Sequence, residues 1–312
     1  VKEEEPMSDE SSTTLPRPTV ALIGLGTMGG GIAERLLDEG FAVAVWNRTP
    51  GPASRLAERG ATAHEMPEQA AARADIVLTM LPTGDAVKAV MLERSTLNAM
   101  RSGAVWAQMG TIGIESSETL RSEVARVRSD VAFVDAPVSG SREPARSGRL
   151  LILASGPAGV RAILEPVFEA LGRVVWLGEA GAGSRMKLVL NTWLAFEIEA
   201  TAEVAALSDR LGVSHAALRE AVAGGPLASG VAMTKLAKME TGDYSPDFSL
   251  EWALKDLDLA RVAGGAEVTP VAESIAERWR RLVAAGYGRL DISAARIGLG
   301  PAPAGAANAQ SA

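Results

Sequence analysis

Lys187 and Asn191 stand four residues apart in a largely apolar run, SRMKLVLNTW, at positions 184–193. On a helix, residues four apart share a face, so an ammonium and an amide project together. An ammonium can give a proton to an oxygen that gains negative charge, and the neutral amine can take one back. Taken alone, the pair also fits a lysine snorkelling from a half-buried helix, with Met186, Leu188, Val189 and Leu190 packing its other sides.

Three further segments carry polar groups at the ends of apolar runs. DAPVSGSREPARSGRLLIL, at 135–153, places Ser139 and Gly140 on a loop after a buried strand, where a hydroxyl and backbone N–H groups suit a carboxylate. QMGTIG, at 108–113, puts Thr111 at the end of another strand, the edge where dinucleotides lie in open α/β sheets. FSLEWALKDLDLA, at 248–260, carries Lys255 and Asp256 in a helical pattern. His64 and His215 are the chain's two histidines. His64 reads as solvent-facing, and His215, after the N-cap candidate Ser214, as structural.

The strongest single motif is VALIGLGTMGGG, at 20–31, in which Gly24, Gly26 and Gly29 form G-x-G-x-x-G between an apolar run and a helix. The first glycine allows the tight turn, the second lets a pyrophosphate approach, and the third lets helix pack on strand. Leu25, Thr27 and Met28 complete this loop as cofactor contacts, and Leu81 and Pro82 join them from the end of a later strand. The second strand ends in Asn47, Arg48 and Thr49, where an acid usually binds the ribose 2′-hydroxyl of NAD. A neutral amide followed by a guanidinium suits a 2′-phosphate instead, so NADP is expected over NAD.

Near-continuous apolar runs at 20–25, 41–46, 75–81, 104–109, 131–136, 149–155 and 173–178 alternate with helical patterns. This predicts an α/β fold with a parallel sheet, a Rossmann-type dinucleotide-binding domain over 18–178. From 179 the strand signal vanishes. A long helical pattern runs to Gly212 and joins an all-α domain over 179–300. The polar stretch 1–17 and the low-complexity stretch 301–312 are expected to be disordered tails. The long helix carries more apolar positions than one monomer face needs, so a homodimer or homotetramer through the helical domains is expected.

The 312 residues carry a formal charge of −7, and 1–17 holds five acids against two bases. No basic cluster suits a nucleic acid. There is no cysteine, so disulfides, thiolate nucleophiles and cysteine zinc sites are excluded, and two histidines far apart in the chain argue against a histidine-rich metal centre. No apolar run reaches the roughly 18 residues of a membrane helix, and the acidic N-terminal stretch lacks an apolar signal segment. These features point to a cytoplasmic protein.

The order and spacing of these motifs resemble the β-hydroxyacid dehydrogenase family, over roughly residues 20–297. SGSREPARSGRLLIL and the late GYGRLDISA are most similar to its glyoxylate/succinic semialdehyde reductase branch. The resemblance implies hydride transfer between a nicotinamide and a small aldehyde or keto acid. It implies Lys187 as proton donor, Asn191 as its helper, Ser139 and Gly140 on the substrate carboxylate, and Thr111 and Lys255 on the cofactor. Arg35, Gly110 and Thr192 depart from the usual Asn, Ser and Asn of the family. Two other readings share the cofactor loop. One is an imine reductase, whose relatives usually replace the lysine and lack the DAPVSGS loop. The other is a non-catalytic dinucleotide-binding interaction protein, whose relatives lose the lysine.

Overall fold

The computed structural model describes residues 17–300 except Ala266, so the expected tails at 1–16 and 301–312 lie outside the described residues. Arg17 is described. Its guanidinium donates to the Glu39 carbonyl and stacks 5.1 Å from the Phe41 ring centre.

Six strands form one parallel sheet: β1 (Val20–Ile23), β2 (Val43–Trp46), β3 (Thr62–Ala63), β4 (Ile76–Thr79), β5 (Val105–Gln108) and β6 (Ala132–Asp135). Their spatial order is β3-β2-β1-β4-β5-β6. The chain reverses its direction of travel between β1 and β4, and the crevice beyond the strand ends there is where such sheets bind ligands. β1, β4 and β5 are buried along their whole length, which explains their unbroken apolar sequence. Helices cover both faces: α1 (Thr27–Asp38), α2 (Pro50–Ala57), α3 (Pro67–Ala71), α4 (Gly84–Lys88), α5 (Thr96–Ala99) and α6 (Ile114–Val127).

The last two expected strands do not extend this sheet. Beyond β6 come β7 (Val138–Ser139), α7 (Arg142–Arg146), β8 (Leu150–Ala154), α8 (Arg161–Leu171) and β9 (Gly172–Trp176). They form a separate three-stranded sheet, β7-β8-β9. β7 pairs antiparallel with β8, and β8 pairs parallel with β9. A parallel crossover needs about a dozen residues or more, and fewer separate β7 from β8, so the chain turns back instead. Ser139 consequently ends a short strand rather than lying in an open loop, and pairs with Leu151.

The helical part is organised around α9 (Ala182–Leu211), which stops at Gly212 in the left-handed conformation, φ 71°. α10 (His215–Val222), α11 (Gly230–Thr241), α12 (Leu250–Gly264) and α13 (Pro270–Leu282) follow. Ala195, Ala202 and Ala205 on α9 are small enough to bring neighbouring helices close, and Leu257 and Trp279 fill the core beside them. Glu199, buried in this core, accepts from Trp279 Nε1 at 2.8 Å and Arg278 Nε at 2.5 Å. His215, also buried, sits 3.0 Å from Asp209 Oδ1 and has a structural position, while His64 is half-buried. Among the described residues no helix is long and apolar enough to cross a membrane.

Not every apolar residue of α9 turns inward. Leu188 is buried, but Met186 and Val189, expected to pack beside Lys187, are exposed, as are Trp193, Val204, Leu207 and Leu211. The helix has a second apolar stripe that this chain does not cover.

Glu199→Ala strands the Trp279 N–H and takes the carboxylate from Arg278, whose guanidinium keeps the Ala295 and Ile297 carbonyls, and is expected to destabilise the fold by roughly 2–4 kcal/mol. Urea unfolding followed by circular dichroism measures this, and an unchanged midpoint contradicts the role given to Glu199.

Candidate active site

The glycine loop leaves β1 and opens α1. Gly24 has φ 97°, and a Cβ there would stand 2.5 Å from the Met80 carbonyl oxygen. At Gly29 a Cβ would collide with the Gly24 carbonyl, so helix and loop touch backbone to backbone. A Cβ at Gly26 would meet nothing within 4 Å. That open side faces away from the protein, as a pyrophosphate approach requires. No side chain caps α1 and no acid stands in its first turn, so its free N–H groups and positive dipole end fit phosphates.

Asn47 has a structural task at this edge. Its Oδ1 accepts from Leu25 N at 2.9 Å, and its Nδ2 donates to the Thr49 carbonyl and hydroxyl. The amide therefore clamps the glycine loop, and the Leu25 N–H is already used. Leu25 itself is buried, whereas Thr27, Arg48, Thr49 and Pro82 are exposed along this edge. Leu81 reaches over Gly24 and its carbonyl closes on Gly110, where a Cβ would collide with it. Gln108 clasps Gly110 from the other side, accepting from its N–H at 2.9 Å and donating to its carbonyl at 2.7 Å. Gly110 thus follows from close packing between two strand ends. Thr192 and Arg35 also have local partners, the Leu188 carbonyl at 2.9 Å and the Ala170 carbonyl at 2.9 Å.

Lys187 and Asn191 lie on the buried face of α9, each 7% exposed. Opposite them stands Asp256 of α12, 3% exposed, whose Oδ2 accepts from Asn191 Nδ2 at 2.5 Å. Lys255 Nζ lies 2.7 Å from Asp256 Oδ1 and donates to the Thr111 carbonyl. The second contact ties the helical part to the edge of the large sheet. Burial is the main force on the Lys187 ammonium and takes its pKa down to about 8. Asp256 pulls the other way and Lys255 adds to the fall. Asp256 thereby links Asn191 to Lys255, which reaches Thr111, and its charge acts on Lys187; the motifs alone assign it no role. Its signal was present: an acid inside a helix whose neighbours Leu254 and Leu257 belong to the core.

Ser139 is half-buried and Gly140 is exposed with φ 134°. They follow Asp135 at the end of β6. Asp135 is fully buried, and its carboxylate accepts from Ser184 N and Ser184 Oγ, both at 2.7 Å. The segment bearing Ser139 and the helix bearing Lys187 therefore meet at one carboxylate.

Residues 19–178 match the family model for the NAD binding domain of 6-phosphogluconate dehydrogenase. Residues 181–296 match the model for the NAD-binding domain of NADP-dependent 3-hydroxyisobutyrate dehydrogenase. Glyoxylate/succinic semialdehyde reductase 1 of Arabidopsis thaliana is 33% identical over 279 residues, covering 88% of this chain and 96% of that protein. The cytokine-like nuclear factor N-PAC of Xenopus tropicalis is 32% identical over 279 residues, but the match spans 52% of its length. A solved 3-hydroxyisobutyrate dehydrogenase of Mycobacterium tuberculosis with L-serine superposes with a TM-score of 0.80 at 28% identity. It covers 90% of this chain and 98% of that one.

Asp256→Asn keeps an acceptor for Asn191 and removes the charge that favours the Lys187 ammonium. The Lys187 midpoint is expected to move below about 8. The pH dependence of turnover in the oxidative direction reads this, and an upward shift contradicts it.

Proposed function

Because this chain belongs to the β-hydroxyacid dehydrogenase family and is an NAD(P)-binding oxidoreductase, we propose that it reduces the carbonyl of a small aldehyde or keto acid with NADPH. The observation that carries this reading is the buried Lys187, which shares its helix face with Asn191, itself held by Asp256, whose charge acts on the lysine. A cofactor seated on the glycine loop supplies a hydride from its nicotinamide.

The protein's own groups do the rest. Ser139 and the Gly140 backbone hold the substrate carboxylate, which restricts how the carbonyl is presented. As negative charge grows on the carbonyl oxygen, the Lys187 ammonium stabilises it and then donates its proton to that oxygen. Asn191, anchored by Asp256, orients substrate and lysine. In the reverse direction neutral Lys187 removes the hydroxyl proton. A lysine at its ordinary value near roughly 10.4 would be almost wholly charged at neutral pH. A value of about 8 makes both forms accessible and serves both directions.

Arg48 supports the NADP preference. It is exposed, carries no ion pair among the described residues and follows the Asn47 clamp at the end of β2, where an acid would repel a 2′-phosphate. The exposed stripe on α9 supports a homodimer through the helical part, since a second copy would cover large side chains such as Val189, Trp193 and Leu207. A reductase that draws on NADPH and small carbonyl acids fits a cytoplasmic location.

Turnover with glyoxylate, succinic semialdehyde and a cyclic imine tests the function. A carbonyl acid is expected to be the fastest substrate, and a preference for the imine contradicts the reading. Lys187→Ala should keep cofactor affinity and lose turnover by about 100-fold or more. Parental turnover would remove Lys187 from the mechanism. Reduction needs the ammonium, so its rate should fall as pH rises through about 8, while oxidation should rise over the same range. A flat profile from roughly pH 6.5 to 9.5 contradicts that assignment. Fluorescence titration should give tighter binding of NADPH than NADH. Light scattering should show no species smaller than a dimer, and a single species at the 32.4 kDa chain mass excludes the proposed assembly.

A further inference from the structure

The start of α9 lacks a cap of its own. Its N-cap residue is Gly181, no side chain at that position accepts from the first turn, and the first turn holds no acid. A 30-residue helix then presents unpaired N–H groups to a buried surface, which is unfavourable unless partners come from elsewhere. They come from two strands. Ser155, just after β8, accepts from Gly183 N through its Oγ at 2.9 Å. Asp135, at the end of β6, accepts from Ser184 N and Ser184 Oγ. Asp135 and Ser155 are locked together by two backbone hydrogen bonds, of 3.0 and 2.8 Å. All three side chains, Asp135, Ser155 and Ser184, are at most 3% exposed.

The fit leaves no slack. A Cβ at Gly183 would collide with the Leu153 carbonyl and lie 2.9 Å from the Asp135 carbonyl. The helix end therefore touches the backbone of both sheets. Gly183 and Ser184 stand four and three residues before Lys187, so the clamped face is the face that carries the lysine. Ser139 follows Asp135 by four residues along the same chain.

We propose that Asp135 is a positioning residue, which sets the height and rotation of α9 against the Ser139 segment and so places Lys187 Nζ over the substrate carbonyl. The proposal rests on the reading of Lys187 as proton donor. Asp135 touches neither substrate nor cofactor in this scheme. It joins the group that gives the proton to the segment that holds the carboxylate. Burial pushes its carboxyl pKa up and the Ser184 hydrogen bonds hold it down, with a net rise.

The test uses the full-length enzyme, NADPH and the fastest carbonyl acid of the panel above. D135A should bind NADPH within about threefold of the parent and lose about 100-fold in kcat, the scale of a misplacement near 1 Å. D135N, which can still accept from Ser184 N and donate to Ser184 Oγ, should stay within about fivefold of the parent. The oxidative pH midpoint of D135A should rise from about 8 towards roughly 10.4, as the lysine leaves its dry seat. In a K187A background, D135A should lower kcat by less than about threefold, because its effect runs through the lysine. If D135A does not fold, S184A replaces it. That variant loses one bond to Oδ1 and should lose about fivefold in kcat with the same non-additivity. Additive losses, or an unmoved midpoint alongside a kcat loss, overturn the positioning role. K187A inactive and D135A at parental rate overturns it alone. K187A at parental rate overturns the proton-donor reading itself, whatever Asp135 does.

Discussion

A lysine ammonium withdrawn almost wholly from water is the constraint around which this molecule is arranged. Such a charge is unfavourable in a protein interior unless a partner compensates it or it gives up its proton. Both occur here in part. Asp256 on α12 favours the ammonium, while burial and Lys255 favour the neutral amine. The balance needs three elements held in register: α9 for Lys187, α12 for Asp256 and Lys255, and the end of β5 for Thr111, whose carbonyl receives Lys255. None of these contacts is local in sequence.

Holding α9 in place is a matter of its ends and its flank. The N-terminus is seated on Asp135 and Ser155, and the flank packs through alanines against the other helices. The glycine loop obeys the same rule of backbone-to-backbone contact. Gly24 and Gly29 touch each other, and Gly110 lies under the Leu81 carbonyl. Side chains are removed where elements must meet closely, and the polar groups at those junctions are paired. Room is left at Gly26, where a ligand rather than the protein must approach.

The motifs were readable because their chemistry is carried by short segments. G-x-G-x-x-G needs only a strand, a turn and a helix, and all three lie within 20–39. Lys187 and Asn191 share a face through helical spacing alone. Gly110 and Thr192 looked like departures from a pattern, yet each has a packing or hydrogen-bond reason visible only with its neighbours in place. The Asn47 amide is engaged by Leu25 and Thr49, a task its place in the sequence does not reveal, and Arg48 beside it is exposed. Met186 and Val189 are exposed where packing beside Lys187 is expected, because apolar character does not tell which side of a long helix meets its own chain.

The sequence by itself determined the alternation of strand and helix, the glycine loop, the long α9 and the lysine–asparagine face, because each depends on residue types and periodicity within one or two elements. Only the tertiary structure decided that 149–155 and 173–178 leave the large sheet, that Asp256 accepts from Asn191 and lends its charge to Lys187, and that Asp135 caps a helix 49 residues away. Those features join groups far apart in the chain. Their energies come from burial and pairing, which exist only once the elements have packed.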